Sequence, residues 1–483
     1  MRNILILHCH DLGRFLGAYG VETVSTPHLD AFAAESAVFE QAFSTAPHCS
    51  PARASLFTGA YPQQNGVLGL THEPFGWDLA DPSTHIAHRL RAVGYRTELV
   101  GVHHESAVLA DDDVATRLGF DRVRTGGDRD VVSARAVEAL GVAAESGRPF
   151  YLQVGFHEPH RSPSDRDRAG VMGFLGESGE TDTSLGLTVP AFLRDDEGAR
   201  EEMAELQGAV RAMDEGVGRV LARLDALGLR DDTVVVFTTD HGLALPRAKC
   251  TLYDAGLGVA LIVRAPGRAA WRGRRIGDIV SHVDVLPTLF DLVGLDEVGD
   301  DEGAATSRPV GVEGASLTAL VEQDAPTREH VFAQLSYHTY YDPKRAVRTR
   351  THKLIANFSN APRAMDPTQS WHHRSMPVDL VGPSIGTSPT LELYDLVADE
   401  GELTNIAGAP STSEVTALLS AALLAWMRRT GDALLWPQPG HGRHRRALAA
   451  LEDAAAGFDP RPATPLESGT DEASGATKER EHA

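Results

Sequence analysis

The chain has 483 residues, 42% of them hydrophobic and 23% charged, and a formal net charge of −22. That length implies a large domain with a smaller partner, and the acidic balance excludes a nucleic-acid binder, which needs a basic face. No apolar run approaches the roughly 18 residues that span a bilayer, so no membrane association is expected. An anionic ligand would need a locally positive pocket inside this acidic shell, which favours a small substrate over a long polyanion. The three cysteines, Cys9, Cys49 and Cys250, are too sparse and too odd in number for a disulfide framework and fit a reducing compartment. The first apolar stretch, Ile4 to Leu7, is short and has no small-residue cleavage site after it, so a cytoplasmic location is expected.

In chain order, the first predicted strand covers residues 3–7 and runs into His8-Cys9-His10-Asp11. A helical pattern follows at 27–36. A second strand over 96–101 ends near His103 and His104. A third, over 149–156, ends in His157-Glu158-Pro159-His160-Arg161. A long amphipathic helix is predicted over 200–228, and a fourth strand over 233–239 ends in Asp240-His241-Gly242. Continuous apolar strands of this kind are buried on both faces, and their alternation with helices implies an α/β fold built on a mostly parallel sheet. Ligands bind such sheets beyond the carboxyl ends of the strands, and all four ends here carry His or Asp.

After about residue 335 the texture changes. A hairpin is expected over 345–357, a strand over 391–395 and a helix over 412–429, forming a smaller C-terminal subdomain of antiparallel strands plus a helix. The resulting division is a catalytic domain over 1–335, the subdomain over 336–435 and an extension over 436–483. The extension's Pro-, Ser- and charge-rich end, from about residue 460, reads as disordered.

Cys49-Ser50-Pro51-Ala52-Arg53 precedes the helix-like run 54–59. Proline suits a first helical turn, so Cys49 is placed at a helix N-terminus, where backbone N–H groups and the dipole favour an anion. Arg53, four residues on, returns over the same face. With three cysteines, a chance Cys-x-Pro-x-Arg has odds of roughly 1 in 100.

Cys-x-Pro-x-Arg followed by Thr58-Gly59 resembles the sulfatase signature. Thr26-Pro27-His28-Leu29-Asp30, Leu252-Tyr253-Asp254-Ala255-Gly256, Leu393-Tyr394-Asp395-Leu396 and Asn405 resemble further family elements in the expected order, over about residues 3–430. Within the family, residues 156–161 look most like the sulfamidase branch, which cleaves N-sulfated glucosamine. The resemblance implies that Cys49 is converted to formylglycine by a formylglycine-generating enzyme. The hydrated aldehyde then attacks sulfur, and its second hydroxyl loses a proton to expel sulfate.

The resemblance also implies one divalent metal held after the first and fourth strands, calcium in most of the family. At those positions stand His10, Asp11, Asp240 and His241, with Cys49 facing them. Two imidazoles in place of oxygen ligands suit zinc, manganese or iron better than calcium. The alternative role for each is hydrogen bonding to a ligating carboxylate. By the same resemblance, His104 takes the proton that releases sulfate, His157 binds sulfate and protonates the leaving group, and Lys249 and Arg53 bind the sulfuryl oxygens. Val102 falls where a lysine is expected, so either His103 supplies that contact or it is missing. His160 and Arg161 are divided between substrate binding and structure.

The expected activity is thus hydrolysis of a sulfate ester or sulfamate, with a small sulfated anion as substrate. A phosphate or phosphonate ester hydrolase on the same fold is the first alternative, and a catalytically silent binding protein the second. Trp371, His372, His373 and Arg374 are placed either against a sugar or over the core. The sequence leaves the oligomeric state open.

Overall fold

The computed structural model describes residues 2–163, 172–176, 179–295, 311–360, 374–379, 386–436 and 442–456. Its strands, in chain order, are β1 (Asn3–Cys9), β2 (Ala37–Phe43), β3 (Arg96–Gly101), β4 (Arg122–Thr125), β5 (Phe150–Gly155), β6 (Ser162–Pro163), β7 (Met172–Gly173), β8 (Thr233–Thr239), β9 (Gly258–Val259), β10 (Leu261–Arg264), β11 (Arg274–Ser281), β12 (Val331–Tyr337), β13 (Tyr341–Arg348), β14 (His352–Asn357) and β15 (Leu391–Asp395). One nine-stranded sheet has the order β11-β2-β10-β8-β1-β5-β3-β4, with β9 added to β2. The run β8-β1-β5-β3-β4 is parallel throughout, whereas β10 lies antiparallel between β8 and β2.

Alternation along each strand explains the continuous apolar runs. Ile4, Ile6, Val234 and Val236 join the core on one face of the sheet. Leu5, Leu7, Cys9, Val235 and Phe237 join the core on the other. A strand with a core on both faces has no polar side to show. The first core is closed by the helices Cys49–Thr58, Ile86–Ala92 and Val285–Val293. The second is closed chiefly by Arg129–Glu145 and Glu197–Ala226. The result is the expected α/β sandwich.

The smaller sheet, β12-β13-β14-β15, is antiparallel. Two helices pack on it, Ser413–Arg429 and Gly442–Ala455, where one was expected. Phe43, Tyr253, Val331 and Tyr394 share a core that joins the two sheets. Several elements differ from the sequence reading in extent: β1 runs on through His8 and Cys9, and the long helix spans Glu197–Ala226. Trp371, His372 and His373 lie outside the described residues, as does the tail from residue 457. Arg374 pairs with Glu205 at 2.6 Å. Among the described residues, no helix is long and apolar enough to cross a membrane.

Candidate active site

Register brings the four reactive strand ends together. His8 of β1 lies opposite Gly155 of β5 and Thr238 of β8, and Gly155 lies opposite Gly101 of β3. The residues that follow, namely His10-Asp11, His157, Asp240-His241 and Val102-His103-His104, therefore leave the sheet at one level. Gly101 makes its exit at φ +87°, and a Cβ there would stand 2.0 Å from the Gly155 carbonyl oxygen, so only glycine fits.

The helix Cys49–Thr58 arrives on the same edge with all ten of its residues buried and Cys49 as its first residue. Its cap, His48, is extended at φ −160° and ψ 160°. The loop before it is tied down by the Cys250 N–H, which donates to the Pro47 carbonyl at 2.9 Å. Thr71 bridges this helix to the β3 exit: its N–H donates to Ser50 Oγ at 3.2 Å and its hydroxyl to the His104 carbonyl at 3.1 Å.

Asp240 organises the floor. Its Oδ1 accepts the N–H of Asp11 at 2.9 Å and of His241 at 2.8 Å, while its Oδ2 accepts from Arg53 Nε at 3.3 Å and Nη2 at 3.1 Å. Arg53 Nη1 meets His8 Nδ1 at 2.5 Å and Nη2 also donates to the Cys9 carbonyl at 3.3 Å. The guanidinium is thus occupied in holding Asp240 and the end of β1. Asp11 stands above it at φ 53°, with both carboxylate oxygens taken by Lys249 Nζ at 2.9 and 3.0 Å and Oδ1 2.9 Å from His241 Nε2. The Cys49 sulfur lies 4.0 Å from Asp11 Oδ1 and 3.5 Å from His241 Nε2.

Charge follows this geometry. Burial opposes ionisation of His241, but Asp240 and Asp11 outweigh it and push its pKa up to about 10. Burial alone would raise the Cys49 thiol, yet Lys249 and side-chain interactions with His10, His104 and His160 hold it well below the ordinary value. The pocket that the sequence demanded is locally positive around an acidic pair.

Two overlapping sets of side chains have the donors and spacing to hold a cation: His10, Asp11, Cys49 and His160, and Asp11, Cys49, Asp240 and His241. His241 Nδ1 meets the Gly242 carbonyl at 2.9 Å, which leaves Nε2 facing Asp11 and Cys49. His10 is 1% exposed, and neither of its ring nitrogens has a hydrogen-bond partner, although Nδ1 is 3.2 Å from Asp240 Oδ2. An orphaned buried imidazole beside two carboxylates fits a transition-metal ion.

The remaining histidines divide. His104 and His157 pack edge-on against His10 at 5.3 and 5.7 Å, and His160 does so at 5.1 Å. His157 Nε2 meets Ser162 Oγ at 3.2 Å, and burial, together with His10 and His160, lowers its pKa to about 3. His103 joins none of the ring contacts found among the described residues, and its electrostatic neighbours are Glu105, His104, Arg53 and His85. Arg161 is fully buried: it pairs with Glu202 at 2.5 Å, donates to the Ala244 carbonyl at 2.8 Å and lies 3.9 Å over the Phe174 ring. Those commitments favour the structural half of its expected role.

Sequence reasoning missed three contributors. Glu105 accepts the His104 N–H at 2.8 Å and so fixes the β3 exit. His48 and His338 pack at 5.5 Å on the side of Cys49 nearest the small sheet. Glu105 and His48 stand next to residues already singled out, and that adjacency was the available signal. His338 carried none.

The sulfatase family profile matches residues 2–295, which covers the helix, the four strand ends and Lys249. The chain belongs to the sulfatase family. The human N-sulphoglucosamine sulphohydrolase is 29% identical over 464 residues, covering 89% of this chain and 91% of its own. Among solved structures, a 2-O GAG sulfatase superposes with a TM-score of 0.68 at 21% identity, covering 90% of this chain and 94% of its own. A phosphonate monoester hydrolase from Silicibacter pomeroyi superposes at 0.61 and 20% identity, with coverages of 90% and 96%. The shared fold therefore carries both sulfur and phosphorus chemistry. Family membership and the N-sulphoglucosamine sulphohydrolase relative make this enzyme a sulfatase.

Proposed function

We propose that this sulfatase hydrolyses the sulfamate or sulfate ester of a small amino sugar, using a formylglycine made from Cys49 and one divalent metal. The observation that carries the reading is Cys49 itself: the first residue of a buried helix, its sulfur 4.0 Å from Asp11 and 3.5 Å from His241, with Lys249 and three histidines around it. Likeness to the N-sulphoglucosamine sulphohydrolase favours the N-sulfated substrate.

Formylglycine at position 49 would supply the nucleophilic hydroxyl, and the metal, held by Asp11, Asp240, His10 and His241, would supply Lewis acidity toward the sulfuryl oxygens. His241 and Arg53 keep Asp240 ionised, and Arg53 holds it in place from behind. Lys249 stands where it can neutralise sulfuryl charge as well as Asp11. His157 faces the leaving-group side, and His104, fixed by Glu105 and Thr71, takes the proton that frees sulfate.

The test is the mass of the peptide containing Cys49, made in a host with the maturation enzyme, beside assays of glucosamine N-sulfate, 4-nitrophenyl sulfate and a phosphate diester. A loss of about 18 Da with turnover confined to the sulfur compounds is expected. An unmodified thiol in active enzyme, or turnover of phosphorus esters alone, refutes the reading.

The donor set also predicts the metal. Chelation should abolish activity, because the Lewis acid is lost, and manganese or zinc should restore it better than calcium. The double variant H10D/H241N should reverse that order. An unchanged preference for calcium in both proteins would show that the imidazoles are not ligands.

A further inference from the structure

A cavity of about 440 Å³ is lined by Arg230, Arg264, Arg268 and Arg272, with Glu35 and Asp231 as the acids beside them. Arg264 is the last residue of β10 and lies opposite Val235, five residues before Asp240. At about 3.3 Å per residue of strand, that places the cavity about 16 Å from the reacting centre, toward the opposite end of the sheet. Its volume is within the range for small-molecule sites. Four guanidiniums against two carboxylates make it locally positive, in a chain whose net charge is −22.

Three of the four arginines have acidic partners. Arg230 pairs with Glu35 and, at 2.7 Å, with Asp225; Arg268 pairs with Glu322 at 2.9 Å; Arg272 reaches Glu35 at 4.0 Å. Arg264 is the exception. It is 8% exposed, and among the described residues its guanidinium has no ion-pair or hydrogen-bond partner. Nε and Nη2 are sealed inside the protein, and the Phe32 ring lies 5.6 Å from the guanidinium carbon. Nη1 is the corner left to face the cavity. Burial, and then Arg230, pull the Arg264 pKa below its ordinary value, yet a guanidinium keeps its proton in proteins. A charge taken out of water without a partner is costly. We infer that this cavity binds a dianionic tetrahedral oxyanion, phosphate or sulfate, held by Arg264 through Nη1. Arg230, Arg268 and Arg272 each have N–H donors beyond those their acids use, and they neutralise the rest of its charge. Glu35 and Asp231 repel a longer polyanion and so limit the site to one such group. The site stands apart from the chemistry at Cys49.

Calorimetric titration of the full-length enzyme, purified free of phosphate and sulfate, tests this with inorganic phosphate, inorganic sulfate and nitrate. A binding event is expected with at least one of the two dianions and not with nitrate, and the tighter dianion names the ligand. R264M, which keeps an unbranched apolar stem, should lose that event and retain only what the active centre binds. R272M, at the exposed rim, should weaken it about two- to five-fold, the effect of a solvent-exposed charge. Melting curves add an independent readout. Without either anion, R264M should melt no lower than the parent, because the change removes a buried charge that has no partner. With the anion added, the parent should gain more than the variant. Identical titrations of the parent and folded R264M, or nitrate binding as tightly as the dianions, overturns the inference. If R264M does not fold, the arginine is a packing element, and an unchanged titration of R272M then overturns the site as well.

Discussion

Replacing Cys49 with alanine is expected to abolish hydrolysis, by 10⁴-fold or more on the order of effects seen when a covalent nucleophile is removed, while leaving the fold intact. The side chain is small and 2% exposed at the start of a helix whose other nine residues are also buried, so alanine leaves a void of one sulfur atom, and Lys249 keeps its pairing with Asp11. The loss should appear in kcat on 4-nitrophenyl sulfate, with the urea midpoint of unfolding moving little. Substantial turnover by the variant would remove residue 49 from the chemistry. Unfolding of the variant would instead show that the sulfur is a packing element.

Asp240→Ala is expected to damage both activity and stability. The carboxylate holds Arg53 at 3.1 Å, and the two side chains are each 1% exposed, so neither is screened by solvent. Removing one member of such a pair strands the other charge and costs about 3–5 kcal/mol. The same change frees the Asp11 and His241 N–H groups that Asp240 Oδ1 accepts at 2.9 and 2.8 Å, so the metal-facing side chains lose their positions. A fall in the unfolding midpoint together with loss of metal uptake is the expected outcome. Asp240→Asn, which keeps the shape, should recover more of the stability than of the metal uptake. Full metal uptake by Asp240→Ala would contradict the ligand assignment.

The strands that place the site were legible because burial on both faces leaves an unbroken apolar signature, as in Thr233–Thr239. The strand Ala37–Phe43 was hidden because Glu40 and Gln41 interrupt its pattern near the open edge of the sheet, and Leu261–Arg264 because four residues are too few to read. The site shows the same division. Which strand ends carry His and Asp was plain in the sequence. How each side chain is used was not, because that depends on helix placement and register. Arg53 is legible as a residue of the site, but its hydrogen bonds to Asp240, His8 and the Cys9 carbonyl are visible only in the structure. His338 sits in the turn between two strands of the small sheet, and only the joining of the two sheets brings it near Cys49.

β1 lies in the middle of the large sheet, hydrogen-bonded to β5 on one side and β8 on the other. During synthesis this strand emerges well before its second partner, which is complete only at Thr239. At about 5–20 residues per second, the ribosome takes about 10 to 40 seconds to travel from Cys49 to that point. Until then the floor beneath Cys49 cannot assemble, and the segment stays open to any enzyme that acts on it. Once β8 docks, the sulfur is sealed in. Translation speed between residues 49 and 239 therefore sets how long the Cys49 segment stays open before β8 docks.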